Sequence, residues 1–271
     1  MENFNYLSTD KNKVAKKILF FDVDGTLTNR NGAIPDNTRN AIFELKDAGH
    51  TVFVNSGRTM FDLEGNKDIS SLGFDGYIGG CGSHIRYHGT DIRHQTVPDN
   101  VSDKVLFFAE KLHIKLFLEG PDCVYIDMKY KDKLNQDALI ARLGDKVKDI
   151  YSEKLCFQKF LCWGMKENLS QFALELKEYF NPIWKGDGAG EFVLHGFDKG
   201  ESIQEVLSYL NFDSKDCFVI GDSENDMPMF SRYTHSILIG YDSDLADKVE
   251  FVSKTADEDG VYYGLKYYGF I

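Results

Sequence analysis

The chain has no long apolar run and no cluster of basic residues. None of its segments reaches the roughly 18 consecutive apolar residues that a membrane-spanning helix needs. The first residues, MENFNYLSTDKNKVAKK, contain no apolar stretch of the kind found in signal peptides. The net charge is −12, and without a basic run the chain offers little positive charge to the phosphates of nucleic acids or anionic lipids. We therefore expect a soluble, cytoplasmic protein with no nucleic-acid partner and no membrane partner.

Cysteine and histidine show no pattern that indicates a disulfide framework or a metal site. The five cysteines are an odd number without a C-x-x-C pair, which favours reduced thiols. Among the seven histidines, His84 and His88 lie four apart in a predicted hairpin, where alternate residues share a face without any functional reason. The 271 residues, 42% of them hydrophobic, can form one large domain or two modest ones.

What the chain does contain is acids placed where predicted strands end. The apolar run at 18–21 stops on Asp22 and Asp24, which Gly25 and Thr26 follow. In open α/β sheets, ligands bind outside the carboxyl ends of the strands, so these two acids are directed to a site rather than to the core.

Three further segments repeat this arrangement. The apolar run 51–54 leads into Ser56, Gly57 and Arg58. Lys199 opens a stretch with apolar residues at helical spacing, which places its ammonium at a loop-to-helix junction. The third segment, CFVIGDSENDMPMF, runs from a strand into acids and an amide, which are Asp222, Asn225 and Asp226.

In this order, the four segments resemble the motifs of the haloacid dehalogenase superfamily of aspartate-nucleophile phosphotransferases. The first (DVDGT) and last (GDSENDMPMF) are specific. Phosphoryl transfer needs an aligned nucleophile and neutralisation of the phosphoryl oxygens. The resemblance implies that Asp22 attacks phosphorus and carries an aspartyl-phosphate, and that Asp24 acts as acid and then base. Ser56 and Lys199 complete the predicted catalytic residues, with Ser56 holding the phosphoryl oxygens and Lys199 offsetting their charge.

The predicted ligands follow from the same resemblance. Mg²⁺ prefers oxygen donors and few protein carboxylates. Its predicted ligands are Asp22, Asp222, Asp226 and Asp24, the last through its backbone carbonyl, while Asp226 acts through water or by fixing Lys199. The predicted substrate-binding residues are Gly25, Thr26, Gly57, Arg58 and Asn225. The expected partner is a small phosphorylated metabolite such as a sugar phosphate, and the oligomeric state is left open.

The sequence also predicts an α/β fold. Strands and helices alternate up to about residue 82 and again after about residue 197, which is typical of a Rossmann-like, doubly wound parallel sheet. Helices are expected after Pro35, ending at Gly49, and over 61–72. Between these parts lies a mixed block with a hairpin, strands at 85–87 and 92–97, and further helices and strands up to His195. In the superfamily, an α+β insertion at this point is the large cap of the Cof-type, sugar-phosphatase-like subgroup. We therefore predict a discontinuous core of residues 1–82 and 197–271 and a cap of residues 83–196.

Two departures from the subgroup pattern and two alternative functions remain. Cys81-Gly82-Ser83 stands where Asn-Gly-Ala is usual, and Asn55 precedes the serine where a small or apolar residue is usual. We expect Cys81 only to pack.

One alternative function is that of a phosphomutase, because an aspartyl-phosphate can return its phosphate to a bound sugar. The other is a regulatory module like a receiver domain, although such a module has no need for Asp24 or for a large cap.

Overall fold

The computed structural model describes residues 15–129, 143–151 and 154–271, and these form two β-sheets with helices packed on them. The strands are β1 (Ile18–Phe21), β2 (Thr51–Asn55), β3 (Gly76–Gly79), β4 (His84–Tyr87), β5 (Thr90–His94), β6 (Lys115–Glu119), β7 (Val124–Ile126), β8 (Val147–Asp149), β9 (Lys159–Trp163), β10 (Phe180–Trp184), β11 (Ala189–Leu194), β12 (Cys217–Gly221), β13 (His235–Leu238) and β14 (Phe251–Val252). The helices are α1 (Asp36–Asp47), α2 (Met60–Gly65), α3 (Lys67–Ser70), α4 (Asp99–Lys111), α5 (Lys166–Leu176), α6 (Lys199–Leu210), α7 (Met227–Phe230), α8 (Ser243–Ala246) and α9 (Gly260–Tyr267).

The first sheet has the strand order β14-β13-β12-β1-β2-β3-β4-β5, and its strands from β14 to β3 run parallel. Strand β1 lies in the middle and is fully buried. Because side chains alternate across a strand, Leu19 and Phe21 pack on one face with α1 and α9, whereas Ile18 and Phe20 pack on the other face with α6. Helices on both faces of a parallel sheet confirm the predicted doubly wound α/β fold.

The second sheet has the order β10-β11-β9-β6-β7-β8 and is antiparallel except for the β7–β8 pair. One of its faces packs against α4 and α5 in a core of its own. That core includes the stacked rings of Phe160 and Phe192, with centroids 4.9 Å apart. Residues one position away along β6, β9 and β11 therefore point to the opposite face.

The β4–β5 hairpin extends the first sheet. It falls in the segment 83–196 that was predicted as a cap, yet β4 pairs antiparallel with β3, and Ile85 packs in the core of the first sheet. The regular alternation of strands and helices in the sequence stops where parallel pairing ends, but an antiparallel hairpin can still extend the same sheet. Strand β5 also ends at His94, before the predicted residue 97. The predicted division into a core of residues 1–82 and 197–271 and a cap of residues 83–196 stays a prediction.

Two helix predictions have different outcomes. Helix α1 ends as expected, because Gly49 adopts the positive φ of +83° that commonly terminates helices. The helix predicted over 61–72 is interrupted at Asn66, whose side chain accepts hydrogen bonds from the backbone of Asp68 and Ile69 and so starts α3 as a separate helix. Parts of the helix and strand series predicted up to His195 fall on 130–142 and 152–153, outside the described residues. Within the described ranges, no helix is both long and apolar enough to cross a bilayer.

Candidate active site

Three neighbouring strands of the first sheet bring the predicted site residues together. Phe21 is in register with Val54 of β2 and Ile220 of β12. The residues that follow these strands, among them Asp22, Ser56 and Asp222, therefore meet at the carboxyl edge of the sheet. This is the edge at which open α/β sheets bind their ligands.

Lys199 lies between two of the acids. It is the first residue of α6, and its Nζ donates to Asp22 Oδ1 at 2.5 Å and to Asp226 Oδ1 at 2.6 Å. The side chain of Lys199 is 3% exposed, that of Asp22 6% and that of Asp226 0%, so these ion pairs are shielded from water. The Lys199 backbone carbonyl accepts a hydrogen bond from Asn55 Nδ2 at 3.0 Å. Asn55, one of the two departures from the subgroup pattern, thus positions the lysine.

Asp222 and Asp226 are held by backbone and hydroxyl donors. Asp226 belongs to a 3₁₀ turn, and its Oδ2 accepts from the amides of Asp222 and Ser223 at 2.9 and 3.2 Å. Asp222 Oδ1 accepts from the Thr26 hydroxyl at 3.2 Å. One carboxylate oxygen from each of Asp22, Asp222 and Asp226 lies within 4.8 Å of the others. Gly25 allows this approach, because a Cβ at its position would lie 2.3 Å from Asp222 Oδ2.

The protonation of this cluster reflects above all the burial of its carboxyl groups. Burial raises the pKa of Asp22 to about 8, even though Lys199 opposes the shift, and it raises the pKa of Asp222 to about 6. Burial alone would lower the pKa of Lys199, but Asp22 and Asp226 raise it above its ordinary value, so the ammonium stays charged. One ammonium does not neutralise three carboxylates. A hard divalent cation fits this donor set, because all the available ligand atoms are carboxylate oxygens.

Asp24 lies apart from this cluster. Its carboxylate is 62% exposed and accepts from Arg58 Nε at 2.9 Å and Nη2 at 2.5 Å. Arg58 also reaches Asp62 at 3.4 Å. The structure therefore does not bring the Asp24 side chain to the acidic cluster, and a contribution from its backbone carbonyl stays a prediction. The Arg58–Asp24 pair was missed from the sequence, because the two residues lie on different strand-end loops.

A cavity of about 270 Å³ opens above Asp22, between the two sheets. Ser56, Gly57, Arg58 and Asn225, which were predicted to be catalytic or substrate-binding residues, line it. The lining described there does not include Gly25 or Thr26; Thr26 instead donates a hydrogen bond to Asp222, and Gly25 leaves room for its carboxylate.

The second sheet contributes a charged cluster to the same cavity, which we call the Lys159 cluster (Glu119, Lys159 and Glu191). These residues lie on the face opposite α4 and α5. Lys159 Nζ lies 2.5 Å from Glu119 Oε2 and 2.7 Å from Glu191 Oε1, and all three side chains are at most 15% exposed. Burial alone would lower the pKa of Lys159, but the two glutamates raise it.

The Lys159 cluster was not predicted from the sequence. A signal was present, because charged residues stand in the otherwise apolar strands KLFLE, KFLCW and AGEFVL. Lys and Glu are almost never fully buried unless they are paired, so such positions indicate either a buried ion pair or a functional surface.

Cys81, the other departure from the subgroup pattern, is not a nucleophile. Burial raises the pKa of its thiol to about 11, so the thiol is neutral at physiological pH and unreactive. Its backbone adopts a φ of 56°. The sulfur lies 3.4 Å from the position of a Cβ on Gly57, so it packs under the loop that carries Ser56.

Comparison with known proteins relates this geometry to a family. Residues 19–265 match the family of haloacid dehalogenase-like hydrolases. The chain is 27% identical to YkrA of Bacillus subtilis (strain 168) over 258 residues, covering 94% of this chain and 98% of YkrA. It is 24% identical over 277 residues to the 5-amino-6-(5-phospho-D-ribitylamino)uracil phosphatase YwtE of the same strain, covering 91% of this chain and 96% of YwtE. The fold is similar to that of a solved subclass IIB sugar phosphatase, with a TM-score of 0.76 and 18% identity over 94% of this chain and 100% of that one.

Proposed function

Because the chain belongs to the haloacid dehalogenase-like hydrolase family and acts on phosphate esters, we propose that it is a Mg²⁺-dependent phosphatase of small monoesters that works through an aspartyl-phosphate on Asp22. The observation that supports this most is the buried contact of 2.5 Å between Lys199 Nζ and Asp22 Oδ1 at the carboxyl end of β1. The ammonium orients the carboxylate and lies where charge builds up on a transferring phosphoryl group.

The first half of the reaction forms the covalent intermediate. The free oxygen of Asp22 attacks phosphorus, an oxygen–phosphorus bond forms, and the bond to the leaving alcohol breaks. Asp24 gives its proton to the leaving oxygen. Arg58 donates two hydrogen bonds to the Asp24 carboxylate, so this pair must separate before Asp24 can reach the leaving oxygen. The Ser56 hydroxyl holds a phosphoryl oxygen.

The second half releases phosphate. Asp24, now ionised, removes a proton from water, which attacks phosphorus and breaks the bond to Asp22. Asp22, Asp222, Asp226 and the Asp24 backbone carbonyl would hold the Mg²⁺, which when bound neutralises the charge of the phosphoryl oxygens. Lys199 offsets the remaining charge, and Asp226 fixes Lys199 through its contact of 2.6 Å.

Substrate choice is proposed to come from the second sheet. The Lys159 cluster lines the cavity on the side away from Asp22, where the alcohol part of a monoester would lie. Two carboxylates and an ammonium can bind the hydroxyl groups of a polar leaving group, which supports a small phosphorylated metabolite such as a sugar phosphate. A cytoplasmic location is supported by the five cysteines, all of which are free thiols. The absence of a basic run supports the proposal that neither nucleic acid nor a membrane is a partner.

The covalent step can be tested by trapping the intermediate. In Asp24→Asn, Asp22 should still accept phosphate from an aryl phosphate, whose leaving group needs no protonation, but release should be slow. Intact-mass measurement should then show one phosphate per chain, and the product should appear in a single burst. Asp22→Asn should show neither the phosphate nor the burst.

Asp213→Asn is the control, because this acid lies on the surface away from the cavity. It should turn over like the wild type. Sustained multiple turnover by Asp22→Asn would contradict the assignment of the nucleophile. A product that keeps its phosphate at a second position of the same sugar would favour the phosphomutase.

A further inference from the structure

A second group of metal-ligand side chains lies on the β4–β5 hairpin, outside the catalytic cavity. His84 and His94 occupy directly opposed positions on the two antiparallel strands, and their rings stack with centroids 4.3 Å apart. Asp91 Oδ1 lies 2.9 Å from His84 Nε2. One ligand atom from each of the three residues lies within 4.8 Å of the others. None of the three lines the cavity above Asp22.

A β-bulge creates this arrangement. Asp91 is three positions before His94, so in a regular strand the two side chains would point to opposite faces. The register of the hairpin shifts between Ile85 and Arg86, which brings Asp91 opposite Arg86 and onto the face that carries His84. Bulges often redirect a side chain at a functional position. The hairpin thus gathers two imidazoles and a carboxylate that regular pairing would separate.

The carboxylate is held in place by a neighbouring arginine. Arg86 donates to Asp91 Oδ1 from Nε at 2.7 Å and to Oδ2 from Nη2 at 3.2 Å, while its Nη1 donates to Glu64 at 2.7 Å. Hydrogen-bonded supports of this kind orient metal ligands. Glu64 also offsets the positive charge of Arg86, which would otherwise disfavour a cation nearby.

The histidines are suited to act as ligands. His84 is 1% exposed, and its Nδ1 has no hydrogen-bond partner within the described ranges. His94 is exposed, which leaves the cluster open to solvent on one side.

We propose that His84, Asp91 and His94 bind a divalent transition-metal ion such as Zn²⁺. Two nitrogen ligands and one oxygen ligand suit Zn²⁺, whereas Mg²⁺ prefers oxygen ligands alone. The donor set therefore differs from the all-carboxylate cluster around Asp22, and the two sites should select different metals.

The position of this site indicates what the ion would do. The cluster borders a cavity of about 530 Å³ that Pro121 and Asp122, from the turn between β6 and β7, also line. His94 is the last residue of β5, and three residues later the Val97 amide bonds to the Phe157 carbonyl next to the second sheet. A bound ion would fix the end of β5 where the chain leaves the first sheet.

The test is Zn²⁺ binding to the metal-free protein, measured by calorimetry with Mg²⁺ at saturating concentration so that the carboxylate cluster is occupied. A Cys156→Ser background removes the exposed thiol as a competing ligand. We expect one Zn²⁺ per chain. Removing a residue that only supports a metal ligand lowers metal affinity by ~10–100-fold. His94→Ala removes a ligand itself, so the affinity for Zn²⁺ should fall by at least that factor. His94 is exposed, so this variant should fold.

The matched control is His88→Ala, which removes the exposed histidine at the tip of the same hairpin and should leave Zn²⁺ binding unchanged. Co²⁺ provides an independent readout, because its visible spectrum should change on binding to the wild type and not to His94→Ala. The proposal is overturned if Zn²⁺ binds to His94→Ala with the wild-type affinity and stoichiometry, or if the wild type binds no Zn²⁺ in the presence of Mg²⁺.

Discussion

Replacing Gly25 with alanine should reduce catalysis far more than it reduces stability. Gly25 has a φ of +86°, and a Cβ at this position would lie 2.3 Å from Asp222 Oδ2. Ordinary contact begins near 3.4 Å, so the carboxylate must retreat by about 1 Å or lose its hydrogen bond from Thr26. A displacement of about 1 Å at a reacting centre can cost ~100-fold in rate. We therefore expect kcat/KM to fall by about that factor and the Mg²⁺ requirement to rise.

The stability change is predicted separately. An alanine in the left-handed region costs about 1–2 kcal/mol wherever it occurs. Gly32 has a similar φ of +76° with no atom within 4 Å of a Cβ position, so Gly32→Ala carries the backbone cost without the clash. Gly25→Ala should lose at least as much free energy of unfolding in urea as Gly32→Ala. Only Gly25→Ala should lose activity.

The assay is hydrolysis of an aryl phosphate over a Mg²⁺ titration, with unfolding followed in parallel. Comparing the two variants separates backbone strain from displacement of Asp222. Equal loss of activity in Gly25→Ala and Gly32→Ala would refute the reasoning, because it would show that the close approach of Gly25 to Asp222 does not matter for the chemistry.

Three further predictions follow from the same geometry. EDTA should abolish phosphatase activity and Mg²⁺ should restore it, while Asp222→Ala should raise the Mg²⁺ requirement; full activity in excess chelator would contradict the metal role. Glu191→Gln should change the preference among esters, measured as kcat/KM over a substrate panel, whereas Lys199→Met should lower kcat/KM for every ester by the same factor. Equal proportional losses in both variants would contradict the proposal that Glu191 selects the substrate and Lys199 serves the chemistry. Burial alone would raise the pKa of Glu250, but hydrogen bonds, first among them the one from Tyr268, hold this pKa below its ordinary value of 4.5. The stabilisation that Glu250 provides is therefore present above that pH and is lost as the pH falls. Glu250→Gln should therefore cost under about 1 kcal/mol in urea unfolding at neutral pH and nothing once Glu250 is protonated; a difference that grows in acid would contradict the sign.

The placement of the acids could be predicted because it depends on local pattern. The run 18–21 is apolar throughout and ends abruptly at Asp22, and the same is true of the strand before Asp222. Parallel strands align their carboxyl ends, so once the strands were recognised, their terminal residues had to meet at one edge. The contact between Lys199 and Asp22 follows the same logic, since α6 begins at that edge.

The sheet that the β4–β5 hairpin joins could not be predicted from the sequence for a reason of the same kind. A hairpin is a local signal, and local signals do not state which sheet a hairpin joins. The hairpin joins the first sheet because Ile85 packs with Phe20 and Phe53 in the core of that sheet.

The sequence by itself determined the strands, the residues at their ends and the family to which they belong. These depend on side-chain periodicity and on short motifs, which are properties of neighbouring residues. The tertiary structure alone decided that Arg58 pairs with Asp24, that the Lys159 cluster faces Asp22 across the cavity, and that a bulge brings Asp91 beside His84. Such contacts join residues distant in the chain or depend on a one-residue shift in register, and no local pattern of hydrophobicity or charge specifies them.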